Sequence, residues 1–131
     1  MMHYLKCIAL LSFLQKKLYA GQRLQVPITA IDEIQQGIVG VQKLLEKENN
    51  VEIRTRINDI MSSILAIKST NGLLHLTEGM KNTLTSGISE LSNLISLEAY
   101  QYFQTHDFEP TEEIIPVMRS IVSVALAKGV L

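Results

Sequence analysis

Ile114-Ile115-Pro116-Val117-Met118-Arg119-Ser120-Ile121-Val122-Ser123-Val124-Ala125-Leu126-Ala127 is the stretch on which the fold turns. At 3.6 residues per turn, Arg119, Ser120 and Ser123 gather on one side and aliphatic side chains wrap most of the remaining circumference. Each large side chain left in water forgoes about 1.5–3 kcal/mol of burial. A helix of this kind needs cover on at least two sides, from other helices of its own chain or from a second chain. Its breadth predicts the central helix of a bundle, over residues 112–127.

The 131 residues are enough for one core, so a single helical domain over 1–131 is expected. Apolar residues make up 47% of the chain while aromatics are 5% and tryptophan is absent, so the core must be aliphatic, which favours interlocking helices over a sandwich. A net charge of −1 gives no general attraction to phosphate backbones or anionic lipid, and speaks against a nucleic-acid partner. The lone Cys7 sits in an apolar helical run, as a small buried hydrophobe does in a reducing compartment. Lys6, the apolar run to Leu14, and Leu18-Tyr19-Ala20 before Gly21 have the outline of a secretory leader, which Lys16 and Lys17 interrupt. Arg119 and the serines likewise break the best candidate for a membrane span. The expectation is a soluble, cytoplasmic protein with no membrane span.

Outward from the C-terminal stretch, apolar spacing predicts a helix over 3–20 and a linker over 22–27. Thr29 is expected to cap a second helix with the stripe Ile31, Ile34, Ile38, Val41, Leu44 and Leu45. Gly37 and Gly40 inside it hint at a closely packed neighbouring backbone. After the polar break at 46–50, Val51, Ile53, Ile57, Ile60, Met61, Ile64, Leu65 and Ile67 predict a third helix that turns back on the second. Residues 69–72 carry turn chemistry. The stripe Leu73, Leu76, Met80, Leu84, Ile88, Leu91 and Ile95 follows in helical phase. A break is expected near Thr85 or Ser86, with one helix to about Leu84 and another from Gly87 to about Phe103; a single continuous helix is the alternative. Thr111 should cap the last helix and Gly129 should stop it, with Pro116 tolerated near its start. No strand-like alternation and no fixed-period repeat is present, so the fold class is all-α, a bundle of five or six helices.

Motifs that carry chemistry are sparse. The fragment His75-Leu76-Thr77-Glu78-Gly79, with glycine four residues after a histidine on an exposed helix face, resembles the phosphoacceptor helix of histidine phosphotransfer domains, small helical bundles of similar size. The resemblance covers these residues alone and implies His75 as acceptor. It departs at Glu78, where that family usually places a lysine to hold phosphoryl oxygens and where a carboxylate repels them. His106, Asp107, Glu109, Glu112 and Glu113 form a local cluster of hard ligands, which a loop followed by a capped helix explains without a metal. Paired Glu-x-x-His motifs, Cys/His zinc spacing, a nucleophile turn and a phosphate loop are all missing, so neither enzyme nor cofactor is expected.

Charge arrangement says more. Residues 1–31 hold Lys6, Lys16, Lys17 and Arg23 without an Asp or Glu, whereas 82–118 hold Glu90, Glu98, Asp107, Glu109, Glu112 and Glu113 without a Lys or Arg. The first helix can dock on the later ones within one molecule, or the two ends can meet between chains. Tyr100, Tyr102, Phe103 and Phe108 gather most aromatics beside those acids, as a plug for one end of the bundle or as a partner-binding patch. The reading is a non-enzymatic protein–protein interaction module that self-associates, with a homodimer as one form: an adaptor, an immunity or antitoxin-like binder, or an assembly subunit. Tyr100, Tyr102, Phe108, Asp107 and Glu109 would form one binding surface, and Lys16, Lys17 and Arg23 the other. A phosphotransfer domain using His75, and a small apolar-ligand binder with its pocket between helices, are the alternatives.

Overall fold

Isoleucines spaced by threes and fours decide the local structure. Ile31, Ile34, Ile38 and Val41 are buried along one face of α2 (Ala30–Leu44), and Ile53, Ile57, Ile60, Ile64 and Ile67 along one face of α3 (Val51–Lys68). The computed structural model describes residues 2–19, 25–105, 112 and 115–129. The remaining helices are α1 (Met2–Tyr19), α4 (Glu78–Thr105) and α5 (Ile115–Ala127). The described residues form a helical bundle without a strand, as the apolar spacing predicts.

Helices α1 to α4 close a ring in which each touches its two chain neighbours, α4 returns to α1, and the diagonal pairs do not meet. Successive helices run antiparallel. Lys17 near the end of α1 pairs with Glu33 at the start of α2, Lys68 at the end of α3 pairs with Asp32 at 3.1 Å, and Arg56 of α3 pairs with Glu90 of α4 at 2.8 Å. These exposed pairs set little energy, roughly 0–1 kcal/mol each. The aliphatic core inside the ring, with Leu11, Ile34, Ile53, Leu84, Ile88 and Leu91 fully enclosed, holds the helices together.

Two polar arrangements fasten the ends of the ring. At one, Val26 to Ile28 lies beside Leu74 to Leu76 in a short antiparallel bridge: Ile28 N donates to the Leu74 carbonyl at 2.9 Å and Leu76 N to the Val26 carbonyl at 2.8 Å. At the other, the Tyr4 hydroxyl donates to Glu48 at 2.6 Å, and Asn50 Nδ2 donates to Glu98 at 2.5 Å. Asn50 Oδ1 accepts from the backbone N–H of Glu52 and Ile53, which makes it the N-cap of α3. The region read as a plain polar break thus ties α1, α3 and α4 together.

Several details differ from the sequence reading. Residues 73–77 are not helical, with Leu76 buried and Leu74 exposed, and the helix begins only at Glu78, where Thr77 Oγ1 accepts from Met80 N at 3.1 Å. From there α4 continues without a break through Thr85, Ser86 and Gly87. Gly87 is a packing residue: a Cβ there would lie 3.0 Å from Ile60 Cγ1 of α3. Gly37 is tighter still, because a Cβ would meet both Leu14 methyls at 2.7 Å. Thr29 occupies the N-cap of α2 but makes no side-chain capping bond there. Gly129 does stop α5, with φ of 73°. Gly21 and Thr111 lie outside the described residues.

The largest difference concerns α5, expected at the centre. It lies at the edge, against α4 with a narrower contact to α1, and buries only Ile121 and Ala125. The physical reason is that α1 to α4 satisfy one another in a closed ring, which leaves the broad apolar surface of α5 one side to dock on. Ile115, Val122 and Leu126 of its remaining face stay exposed.

Candidate functional site

Around the axis of α5, Val117, Ile121, Val124 and Ala125 turn towards the bundle and are buried or half-buried. Ile115, Val122 and Leu126 share a second face, since seven and four residues bring a helix back to the same side. Their exposures are 40%, 40% and 60%. Met118 lies half-buried between the two faces and Arg119 flanks the open one. The aliphatic surface is therefore wider than the contact with α4 covers. Single exposed hydrophobics are ordinary on a surface, but three in a row on the most apolar helix of the fold form a stripe.

Beside the C-terminal end of α5 a groove of about 570 Å³ opens between α3 and α4. Val51, 73% exposed, and the half-buried Leu94 and Leu97 line it together with the charged Glu52, Arg56, Asp59 and Glu90, and Lys128 stands at its edge. Farther along the same helix pair, a second opening of about 430 Å³ is lined by Ala66, Ile67, Met80 and hydroxyls of Ser63, Thr77 and Thr83. Both lie open at the surface, whereas the ring interior is filled by the aliphatic core.

The residues singled out from sequence are dispersed. Lys17 is engaged by Glu33 and sits 5.0 Å from the ring centre of Phe13, while Lys16 is exposed. Tyr100 and Phe103 pack against the core from the C-terminal part of α4, and the Tyr100 hydroxyl accepts from Gln104 Nε2 at 3.0 Å. Tyr102 is half-buried nearby. The lysines and the tyrosines occupy opposite ends of the bundle, since Lys17 marks one end of α1 and Tyr4, linked through Glu48 and Asn50 to Glu98, marks the other, about 20 Å away at 1.5 Å per residue. Helix α1 does dock on α4 within the molecule, yet through apolar surface: Glu90 turns to Arg56 and Glu98 to Asn50. Arg23, Asp107, Phe108 and Glu109 lie outside the described residues, as does His106.

His75 is exposed but stands at the bridge with Pro27 in the non-helical segment before α4, so it is not presented from a helix face as the phosphotransfer resemblance requires. Glu78, the departure from that pattern, pairs with Lys81 at 2.7 Å. Among the described residues no group of His, Cys, Asp or Glu is placed to hold a metal ion, and no helix is long and apolar enough to cross a membrane. Burial, the principal cause, pushes the Cys7 thiol up to about 12. Burial together with the hydrogen bond to Glu48 raises the Tyr4 hydroxyl well above its ordinary value.

Sequence reasoning missed the open stripe as a site because it assigned α5 to the core; the signal, an aliphatic circumference too wide for one neighbour, was present in the quoted stretch. Comparison with family models, with curated proteins and with solved structures found no match.

Proposed function

We propose that the chain is a non-enzymatic protein–protein interaction module that self-associates, of the kind that serves as an adaptor, as an immunity or antitoxin-like binder, or as a subunit of an assembly. The observation that carries this reading is the open stripe of Ile115, Val122 and Leu126 on a helix whose opposite face is already docked on α4. Covering such side chains is worth about 25 cal/mol per Å² of apolar area removed from water. A small net charge of −1 offers little repulsion between copies. A buried, weakly acidic Cys7 fits work in a reducing compartment, the cytoplasm.

Light scattering on the eluting protein tests the reading. A mass of two chains or a larger whole number, sustained on dilution to micromolar concentration, is the expected result. A single-chain mass at every concentration up to the millimolar range would overturn it.

A further inference from the structure

Resting on that reading, we infer that the partner is a second copy of this chain and that the two α5 helices pair antiparallel across a two-fold axis near Val122. Three observations converge. Val122 stands at the middle of the open stripe, so antiparallel pairing sets Val122 against Val122, Ile115 against the turn at Gly129, and the Arg119 stem beside Leu126. The two ends of the helix carry opposite charges: Glu112 precedes it, exposed, and Lys128 follows it, exposed, and neither has an ion-pair partner among the described residues. In an antiparallel pair Lys128 lies opposite Pro116 of the other copy, four residues from Glu112 in the sequence. A parallel pair would instead set Glu112 against Glu112 and Lys128 against Lys128.

The third observation is the groove beside Lys128. A helix of 13 residues is about 20 Å long, and its open face alone supplies less than the roughly 800 Å² per partner of a stable interface. The same antiparallel geometry brings the other copy's Ile115 to the groove lined by Val51, Leu94 and Leu97, so the exposed Val51 finds cover where the helix contact ends. Val51 at the groove and the unpaired Lys128 at its edge meet an isoleucine and an unpaired acid of the other copy.

Cysteine cross-linking with copper–phenanthroline tests the axis, because Cys7 is buried with its thiol raised to about 12 and stays out of the reaction. Val122→Cys is expected to link to itself, and Ile115→Cys to link to Lys128→Cys in a mixed sample but not to itself. Val122→Glu and Leu126→Glu are expected to elute at single-chain mass with unchanged far-ultraviolet helicity. Glu112→Lys and Lys128→Glu should each weaken the dimer up to about fivefold at low salt, and the double variant should restore it. Self-linking of Ile115→Cys, or a dimer mass that survives Val122→Glu, would overturn the pairing while leaving self-association intact. A wild-type chain that is single at all concentrations would remove both.

Discussion

Helices α3 and α5 both lean on α4, and they finish differently. α3 buries its isoleucines and turns Glu52, Arg54, Arg56 and Asp59 to the outside, with Val51 and Leu65 as the exposed aliphatic side chains among them. α5 buries Ile121 and Ala125 against the same neighbour and turns Ile115, Val122 and Leu126 outward. Docking on a shared helix is thus not what makes a helix self-sufficient; the composition of the face left over is. Where that face is mostly charged water satisfies it, and where it carries an aliphatic stripe it leaves apolar area uncovered.

The sharpest way to break this contrast is truncation on each side of it. Leu91→Ala, at a fully enclosed site, should cost about 2–5 kcal/mol in denaturant unfolding, whereas Leu126→Ala measured on the dissociated chain should stay within about 0.5 kcal/mol. Equal costs would mean that α5 is as much core as α4.

A pair of glycines in α2 sharpens the closed side. Gly37→Ala places a methyl 2.7 Å from the enclosed Leu14, and overpacking of this kind costs about 1–3 kcal/mol, only partly offset by helix propensity. Gly40→Ala, with Leu10 at 3.7 Å, meets ordinary contact and should gain up to about 1 kcal/mol. Both are read from thermal or denaturant unfolding.

Asn50→Ala removes the N-cap of α3 and the bond to Glu98, and should cost about 0.5–2 kcal/mol. The smallest effect is on pH dependence. Tyr4 and Cys7 have folded-state values raised above their unfolded ones of about 10 and 9, so the folded chain binds those protons more tightly. Their contribution is fully present below pH 9 and declines as pH climbs through that value and beyond. Tyr4→Phe should flatten the fall above pH 10, as followed by urea midpoints at pH 8, 10 and 11.

Most of the ring was legible because each helix of the 29–69 hairpin repeats isoleucine at threes and fours, a period only a helix satisfies. The start of α4 was not, since Leu73 and Leu76 happen to fall in helical phase with Met80 and Leu84; what sets the boundary is Thr77 as cap and the pairing with Val26 and Ile28, a contact distant in sequence. Gly87 misled for a related reason: the same glycine that marks a break in a lone helix permits close approach when Ile60 lies beside it. The Tyr4, Glu48, Asn50 and Glu98 network joins positions dispersed along the chain, and no local pattern announces it. For α5 the residues were read correctly and the missing information was topological, because four helices had already closed without it.

Hydrogen exchange at two protein concentrations tests the division between these regions most directly, since burial against another chain protects amides in proportion to how much chain is present. Amides of α5 from Arg119 to Ala127 are expected to slow as concentration rises, while those of α2 and of α4 around Leu84 to Leu91 exchange at rates that do not change. Protection of α5 that is the same in dilute and concentrated protein would contradict the claim that its outer face is completed by a second chain.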